Sequence, residues 1–264
     1  MRLFSVLVCV FLLSGCASSS VDRGNFSDLE LTWYRGAVTL PPNLGESRVW
    51  EIGEPEFNEF VSRRVARPLP VAVYLHGCTG LTGNDRSFMK ELATAGYAVV
   101  APDSMARSWR PRQCNSRTKS GGRNLFVFDF RQAEINYAVQ KLYDAPWADW
   151  DNMFLVGASE GGLAAAHYRG DYFSGRVITQ WTCHGAPIVR GISAERDEPV
   201  LSIVRKDDPW YDSERGNQAG DCGRFFGERP NSRSLVLEKG SGHNVMGERQ
   251  VIDAIIRFLK ENTS

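Results

Sequence analysis

Of the 264 residues only four are histidine and six are cysteine, and no two cysteines have the close spacing of a zinc site. No metal is therefore expected. Charge of one sign is also lacking: lysine plus arginine and aspartate plus glutamate number 31 each. A neutral chain has no global field to gather nucleic acid, so that class of partner is not expected. Heptads, internal repeats and low-complexity tracts are missing, apart from the short run Ser18-Ser19-Ser20, which removes coiled coils and solenoids. The run from Leu3 to Leu13, broken by Ser5, is too short to span a bilayer as a mature helix. What is present is an ordinary globular composition, 42% hydrophobic and 23% charged, with length enough for one sizeable core.

Met1-Arg2 puts a positive charge before that apolar run, and Leu13-Ser14-Gly15-Cys16 closes it. A charged start, an apolar core and small residues at its end make a secretory signal. The closing tetrapeptide resembles the bacterial lipobox, in which the cysteine is lipidated and becomes the first residue of the mature protein. Residues 1–15 are thus expected to be a lipoprotein signal peptide, Cys16 the lipidated residue, and 16–25 a polar tether. Ala17 stands where an aspartate would resemble an inner-membrane retention signal. The expected location is the bacterial cell envelope, at the outer membrane facing the periplasm, with the lipid on Cys16 making the membrane contact. Residues 26–264 would form one domain. Within it, 26–69 reads as an N-terminal extension packed on the rest, because Trp33, Tyr34, Trp50 and Phe60 occur there without a clear period. Export leaves Cys78, Cys114, Cys183 and Cys222, an even number in an oxidising compartment, with three pairings open.

From Leu69 the pattern becomes regular. Val71 to Leu75 is a short apolar, β-branched run and reads as a buried strand. Asp85 to Ala95 reads as a helix, Tyr97 to Ala101 as a second strand stopped by Pro102, and Asp129 to Tyr143 as an amphipathic helix. Met153 to Val156, Val177 to Trp181, Val200 to Val204 and Ser234 to Leu237 are further strands, and Val251 to Leu259 is a closing helix. Strands alternating with helices predict an α/β fold whose mostly parallel sheet is covered on both faces.

Gly157-Ala158-Ser159-Glu160-Gly161 fits the G-x-S-x-G nucleophile elbow. The chemistry needs this spacing because the serine sits on a strained turn between strand and helix, where flanking side chains would collide. The pattern alone is weak, but the strand before it and the helix Gly162 to His167 after it supply the required context. Ser159 is the candidate nucleophile. Of the four histidines, His76 lies in a strand-end motif, His167 on the helix after the elbow, and His184 ahead of any candidate acid. His243, in Gly-Ser-Gly-His-Asn between the last strand and the last helix, is the candidate base. The acid belongs after the strand Val200 to Val204, where Asp207 and Asp208 both qualify. Asp208 is favoured because the loop needs length to turn toward the histidine. The backbone N–H groups of Cys78 and Glu160 are the expected oxyanion donors.

Leu75-His76-Gly77-Cys78-Thr79-Gly80, then Gly96 to Ser104, then Gly157 to Gly162, resemble the dienelactone hydrolase-like α/β-hydrolases over roughly residues 65 to 262. The resemblance implies an α/β-hydrolase fold with an eight-stranded, mostly parallel sheet and helices on both faces. It also implies hydrolysis of esters, lactones and related acyl bonds of small molecules without a cofactor, through Ser159, Asp208 and His243. Two departures stand out. The founding members use a cysteine nucleophile, so lactone specificity does not transfer. The glycine and acid often found after the seventh strand are replaced by Arg205-Lys206. Placed in this fold, the cysteines lie at the carboxyl-end rim of the sheet, and Cys78–Cys114 and Cys183–Cys222 are the expected disulfides.

The segment Ala106 to Asn124 carries Arg107, Arg110, Arg112, Arg117, Lys119 and Arg123 with no acid. It reads as a solvated rim or as a landing surface for an anionic substrate, with Arg110 and Arg112 as candidate substrate-binding residues. The expected activity is that of a serine hydrolase of carboxylic ester or related acyl bonds. The alternatives are a non-catalytic envelope binding protein on this fold and a hydrolase of an envelope polymer.

Overall fold

A computed structural model describes residues 26–264 except 123, 186–188, 212–217, 239 and 241. The expected signal peptide, tether and Cys16 lie outside the described residues. The described chain runs α1 (Asp28–Tyr34), β1 (Ala37–Thr39), β2 (Trp50–Glu51), α2 (Pro55–Arg64), β3 (Leu69–Leu75), α3 (Gly83–Thr94) and β4 (Ala98–Ala101). It continues with α4 (Phe126–Tyr143), β5 (Ala148–Ala158), α5 (Glu160–His167), β6 (Gly175–Thr179), β7 (Val200–Arg205), β8 (Arg233–Leu237) and α6 (Arg249–Glu261).

The eight strands make one sheet in the order β2-β1-β4-β3-β5-β6-β7-β8. β3 to β8 are mutually parallel, whereas β1 pairs antiparallel with both β2 and β4. The alternation of side chains along β3 shows how the layers are built. Val71, Val73 and Leu75 pack with Phe57 of α2, Ile135 and Leu142 of α4, and Ala164 and Ala165 of α5. Ala72 and Tyr74 face the other way, onto Phe88 and Leu92 of α3 and Ile255 and Phe258 of α6. Both faces are therefore covered, and β3 is buried from Val71 to Leu75, which is why its sequence reads as a continuous apolar run.

Residues 26–69 do more than pack on the domain, since β1 and β2 extend the sheet. These strands are three and two residues long, too short for an alternation to register in sequence. β5 starts at Ala148, before the expected Met153, because Ala148 and Asp149 pair with Leu69 and Pro70; Trp150, Asp151 and Asn152 fall in the register shift at Pro70/Val71 of β3. α4 likewise starts at Phe126, ahead of the expected Asp129, and so presents an aromatic side chain in its first turn.

The disulfides are Cys78–Cys114 and Cys183–Cys222, with Cα–Cα distances of 6.0 and 5.0 Å, ordinary spans for a cystine. They join loops that leave the carboxyl ends of the parallel strands, the edge where an open α/β sheet forms its crevice.

Candidate active site

Ser159 links β5 to α5 with φ 56° and ψ −114°, a left-handed backbone that a residue with a Cβ adopts only where the surroundings hold it. Close packing does the holding. A Cβ on Gly157 would come to 2.1 Å of the Gly161 carbonyl oxygen, and one on Gly161 to 2.0 Å of the Leu75 carbonyl oxygen. Only glycine lets α5 sit down on β3 and β5 at this distance. The Ser159 N–H donates to the Thr179 carbonyl at 2.9 Å, and the Ser159 carbonyl accepts from Leu163 N–H at 2.9 Å. The turn is thus pinned to the neighbouring strand and to its own helix.

His243 comes from the loop between β8 and α6. Its Nε2 lies 2.8 Å from Ser159 Oγ, and its Nδ1 lies 2.6 Å from Asp208 Oδ2. Asp208 is buried, and its other oxygen accepts the Trp210 N–H at 3.0 Å. Trp210 and Tyr211 flank the imidazole at ring-centroid distances of 5.2 and 5.9 Å. The neighbouring Asp207 is exposed, and its carboxylate accepts the Gly240 N–H at 3.4 Å, which bridges the β7 and β8 loops away from His243.

The loop after β3 lies against the serine, since a Cβ on Gly77 would stand 3.5 Å from Ser159 Cβ. His76 shapes this loop from beneath. Burial, with the Arg131 guanidinium beside it, holds the His76 imidazole well below its ordinary range, so the ring is neutral. Its Nε2 accepts the Ser104 N–H at 3.0 Å, which leaves the proton on Nδ1 to donate to the Gly77 carbonyl at 2.7 Å. In a planar trans peptide the Cys78 N–H then points the other way, and Cys78 lines the cavity. Glu160 is the first residue of α5, so its N–H has no partner within the helix.

Below these loops lies a charge network that sequence did not single out. Arg110 Nη2 reaches Glu160 Oε1 at 2.5 Å, its Nε donates to Ser104 Oγ at 3.0 Å, and its Nη1 to the Pro111 carbonyl at 3.1 Å. Arg131 Nη2 donates to the His76 carbonyl at 3.0 Å, Arg131 Nη1 contacts Glu134 at 3.3 Å, and Arg107 Nε donates to Glu134 at 2.9 Å. The expectation for Arg110 is therefore corrected: its fork is spent on Glu160, Ser104 and Pro111. Arg112 is exposed, and neither it nor Arg110 lines the cavity. The i, i+3 spacing of Arg131 and Glu134 was the available signal, but that spacing is common on solvated helix faces.

Ser159 opens onto a cavity of about 350 Å³. Trp181, Trp210, Tyr211, Phe128, Leu125 and Leu163 give it apolar walls, and the Cys78–Cys114 disulfide forms part of its rim. His167 stands against Phe128 behind that wall at 5.9 Å between ring centroids, and His184 packs on Phe225 at 5.1 Å. Neither reaches the serine.

No family model matches the chain, and no curated protein matches it by sequence. Solved structures do resemble it. A dienelactone hydrolase-like promiscuous phosphotriesterase from metagenomic libraries superposes with TM-score 0.57 at 18% identity, over 86% of this chain and 100% of that one. Est1E from Butyrivibrio proteoclasticus gives 0.53 at 13% identity, over 86% and 93%. A phospholipase/carboxylesterase from Dyadobacter fermentans gives 0.51 at 17% identity, over 74% and 92%. At these identities the likeness is one of fold.

Proposed function

We propose that this chain, which has the α/β-hydrolase fold, is a serine hydrolase of carboxylic ester or related acyl bonds in small molecules. The observation that carries the reading is the hydrogen-bonded run Ser159–His243–Asp208, at 2.8 and 2.6 Å, ending on a strained turn in an apolar cavity. His243 Nε2 takes the proton from Ser159 Oγ as Oγ attacks the substrate carbonyl. Asp208 keeps the Nδ1–H in place and stabilises the imidazolium that forms. The oxyanion of the tetrahedral intermediate is met by the N–H groups of Cys78 and Glu160, each such donor lowering the barrier by about 3 kcal/mol. His243 returns the proton to the leaving oxygen, and water, deprotonated by the same ring, releases the acyl group and restores Ser159.

A fluorophosphonate probe tests the activated serine directly. The chain is expected to label at Ser159, and Ser159→Ala is expected not to label. Labelling of neither would reject the hydrolase reading in favour of a binding protein.

The envelope location and lipid anchor are part of the same proposal, supported by the charged start, apolar core and small residues ahead of Cys16. Expressed in a bacterium fed a tagged fatty acid, the parent should take up the tag and Cys16→Ser should not; equal uptake would remove the anchor from the proposal.

A further inference from the structure

Beside the cavity mouth the surface breaks the usual rule that large apolar side chains are covered. Trp109 is 61% exposed, Leu125 54% and Phe126 39%. They form one patch rather than scattered residues. Trp109 stacks on Phe126 at 5.4 Å with 12° between ring planes, and Phe130 meets both edge-on at 6.3 and 5.8 Å. Leu125 belongs to the patch and also lines the cavity, so apolar surface continues from solvent to the neighbourhood of Ser159. Contiguous exposed aromatics of this kind mark contact sites.

The surrounding charge says what kind of contact. Arg112 and Arg117 are exposed, and among the described residues neither is ion-paired. The acids at the patch edge are Asp129, in the first turn of α4, and Asp28, which accepts the N–H and hydroxyl of Ser108. Aromatic and leucine side chains that share a loop with long cationic ones suit an anionic lipid interface, where rings enter the acyl boundary and guanidinium groups remain among the headgroups.

The point where the described chain begins supports the same orientation. Phe26 packs on Tyr34 at 4.5 Å, and Asp28 Oδ1 accepts the N–H of Ser108, the residue before Trp109, at 3.1 Å. A lipid on Cys16 is ten residues from Phe26, a reach of at most about 35 Å. That reach includes the face that carries the patch.

We propose that Trp109, Leu125 and Phe126, with Arg112 and Arg117, dock the cavity mouth onto an anionic lipid bilayer, and that the site takes amphipathic esters from that surface. The docking stands on the patch itself; the choice of substrate rests on the hydrolase reading.

The test uses the chain from Ala17, which lacks the proposed signal and lipid but keeps every described residue. It is sedimented with phosphatidylcholine vesicles with and without phosphatidylglycerol. Binding to the phosphatidylglycerol vesicles is expected. Arg112→Gln with Arg117→Gln should weaken it about thirtyfold, the change two cations near an anionic leaflet supply. Trp109→Ser with Phe126→Ser should abolish it. Trp150→Ser removes an equally exposed aromatic (52%) that pairs with Tyr143 at the far end of α4 and should change nothing. Turnover of a soluble short-chain ester, measured alongside, should be unaffected by Trp109→Ser with Phe126→Ser. No sedimentation with either vesicle overturns the docking and leaves an acidic protein to occupy the patch. So does unchanged sedimentation of the Trp109/Phe126 variant, or a dimer in gel filtration that this variant disperses. Vesicle binding without ester turnover would uphold the docking and reject the hydrolase reading.

Discussion

Asp208→Asn should lower kcat/KM by about 10⁴-fold, while Asp207→Asn, one residue away, should change it by less than about twofold. Asp208 Oδ1 accepts the Trp210 N–H, so an asparagine there keeps its carbonyl on Trp210 and turns its NH₂ toward His243. Nδ1 must then accept, and the ring proton moves to Nε2, where it faces Ser159 Oγ. A ring protonated at Nε2 cannot take the serine proton, although the geometry is unchanged. Among the described residues Asp207 holds the Gly240 N–H, at the exposed edge of the loop. Steady-state kinetics on a chromogenic ester, with thermal melting to show that both variants fold, distinguish the two. Equal losses, or the larger loss at Asp207, would sink the assignment of Asp208.

Arg176→Met should cost about 3–5 kcal/mol of stability, the largest effect expected from a single change away from the serine. Arg176 is fully buried on β6. Its Nη1 donates to the carbonyls of Ala165 and Tyr168 at 2.7 and 2.8 Å, closing the carboxyl end of the helix whose other end carries Ser159. Its Nε and Nη2 grip Glu198 at 2.7 and 2.5 Å. Removing the guanidinium strands the Glu198 carboxylate in the interior and frees two helix-end carbonyls. Burial already pushes the Glu198 carboxyl up, against the pull of Arg176. Without that pull it rises further. A folded-state pKa raised above the unfolded one favours the protonated form, so the deficit of the variant should shrink as pH falls and widen as pH rises. Urea denaturation at several pH values measures this. A deficit independent of pH would point to lost packing alone. Arg176→Met combined with Glu198→Leu should recover part of the stability, since no buried charge is then left unpaired.

The parts legible in sequence are those governed by local periodicity or backbone sterics. β3 is buried on both faces and reads as an unbroken apolar run; the closing helix α6 shows its period because one face alone is buried. The elbow was visible because its glycines answer a clash at about 2 Å that no other residue relieves. His243 could be reached by elimination because histidines are few. Composition does not separate Asp207 from Asp208; the length of the loop favours Asp208, which is the carboxylate 2.6 Å from His243 Nδ1. The burial of Arg131 and Glu134 was hidden for another reason: a helical charge pair looks the same in sequence whether it faces water or His76. Arg110 was misjudged on the same ground, for nothing local says that its partner is Glu160, fifty positions away.

The Cys78–Cys114 bond has a consequence for when this protein can act. Cys78 carries the N–H proposed to meet the oxyanion, and Cys114 belongs to the arginine-rich loop beyond it. Oxidation therefore welds the proposed oxyanion donor to the wall of the cavity, a weld that a reducing cytoplasm withholds and an exported chain acquires. A newly made chain carrying Ser159 and His243 is by this account an unfinished tool. If the chain is exported as proposed, that bond forms only after it has left the cytoplasm, and the two loops are joined there.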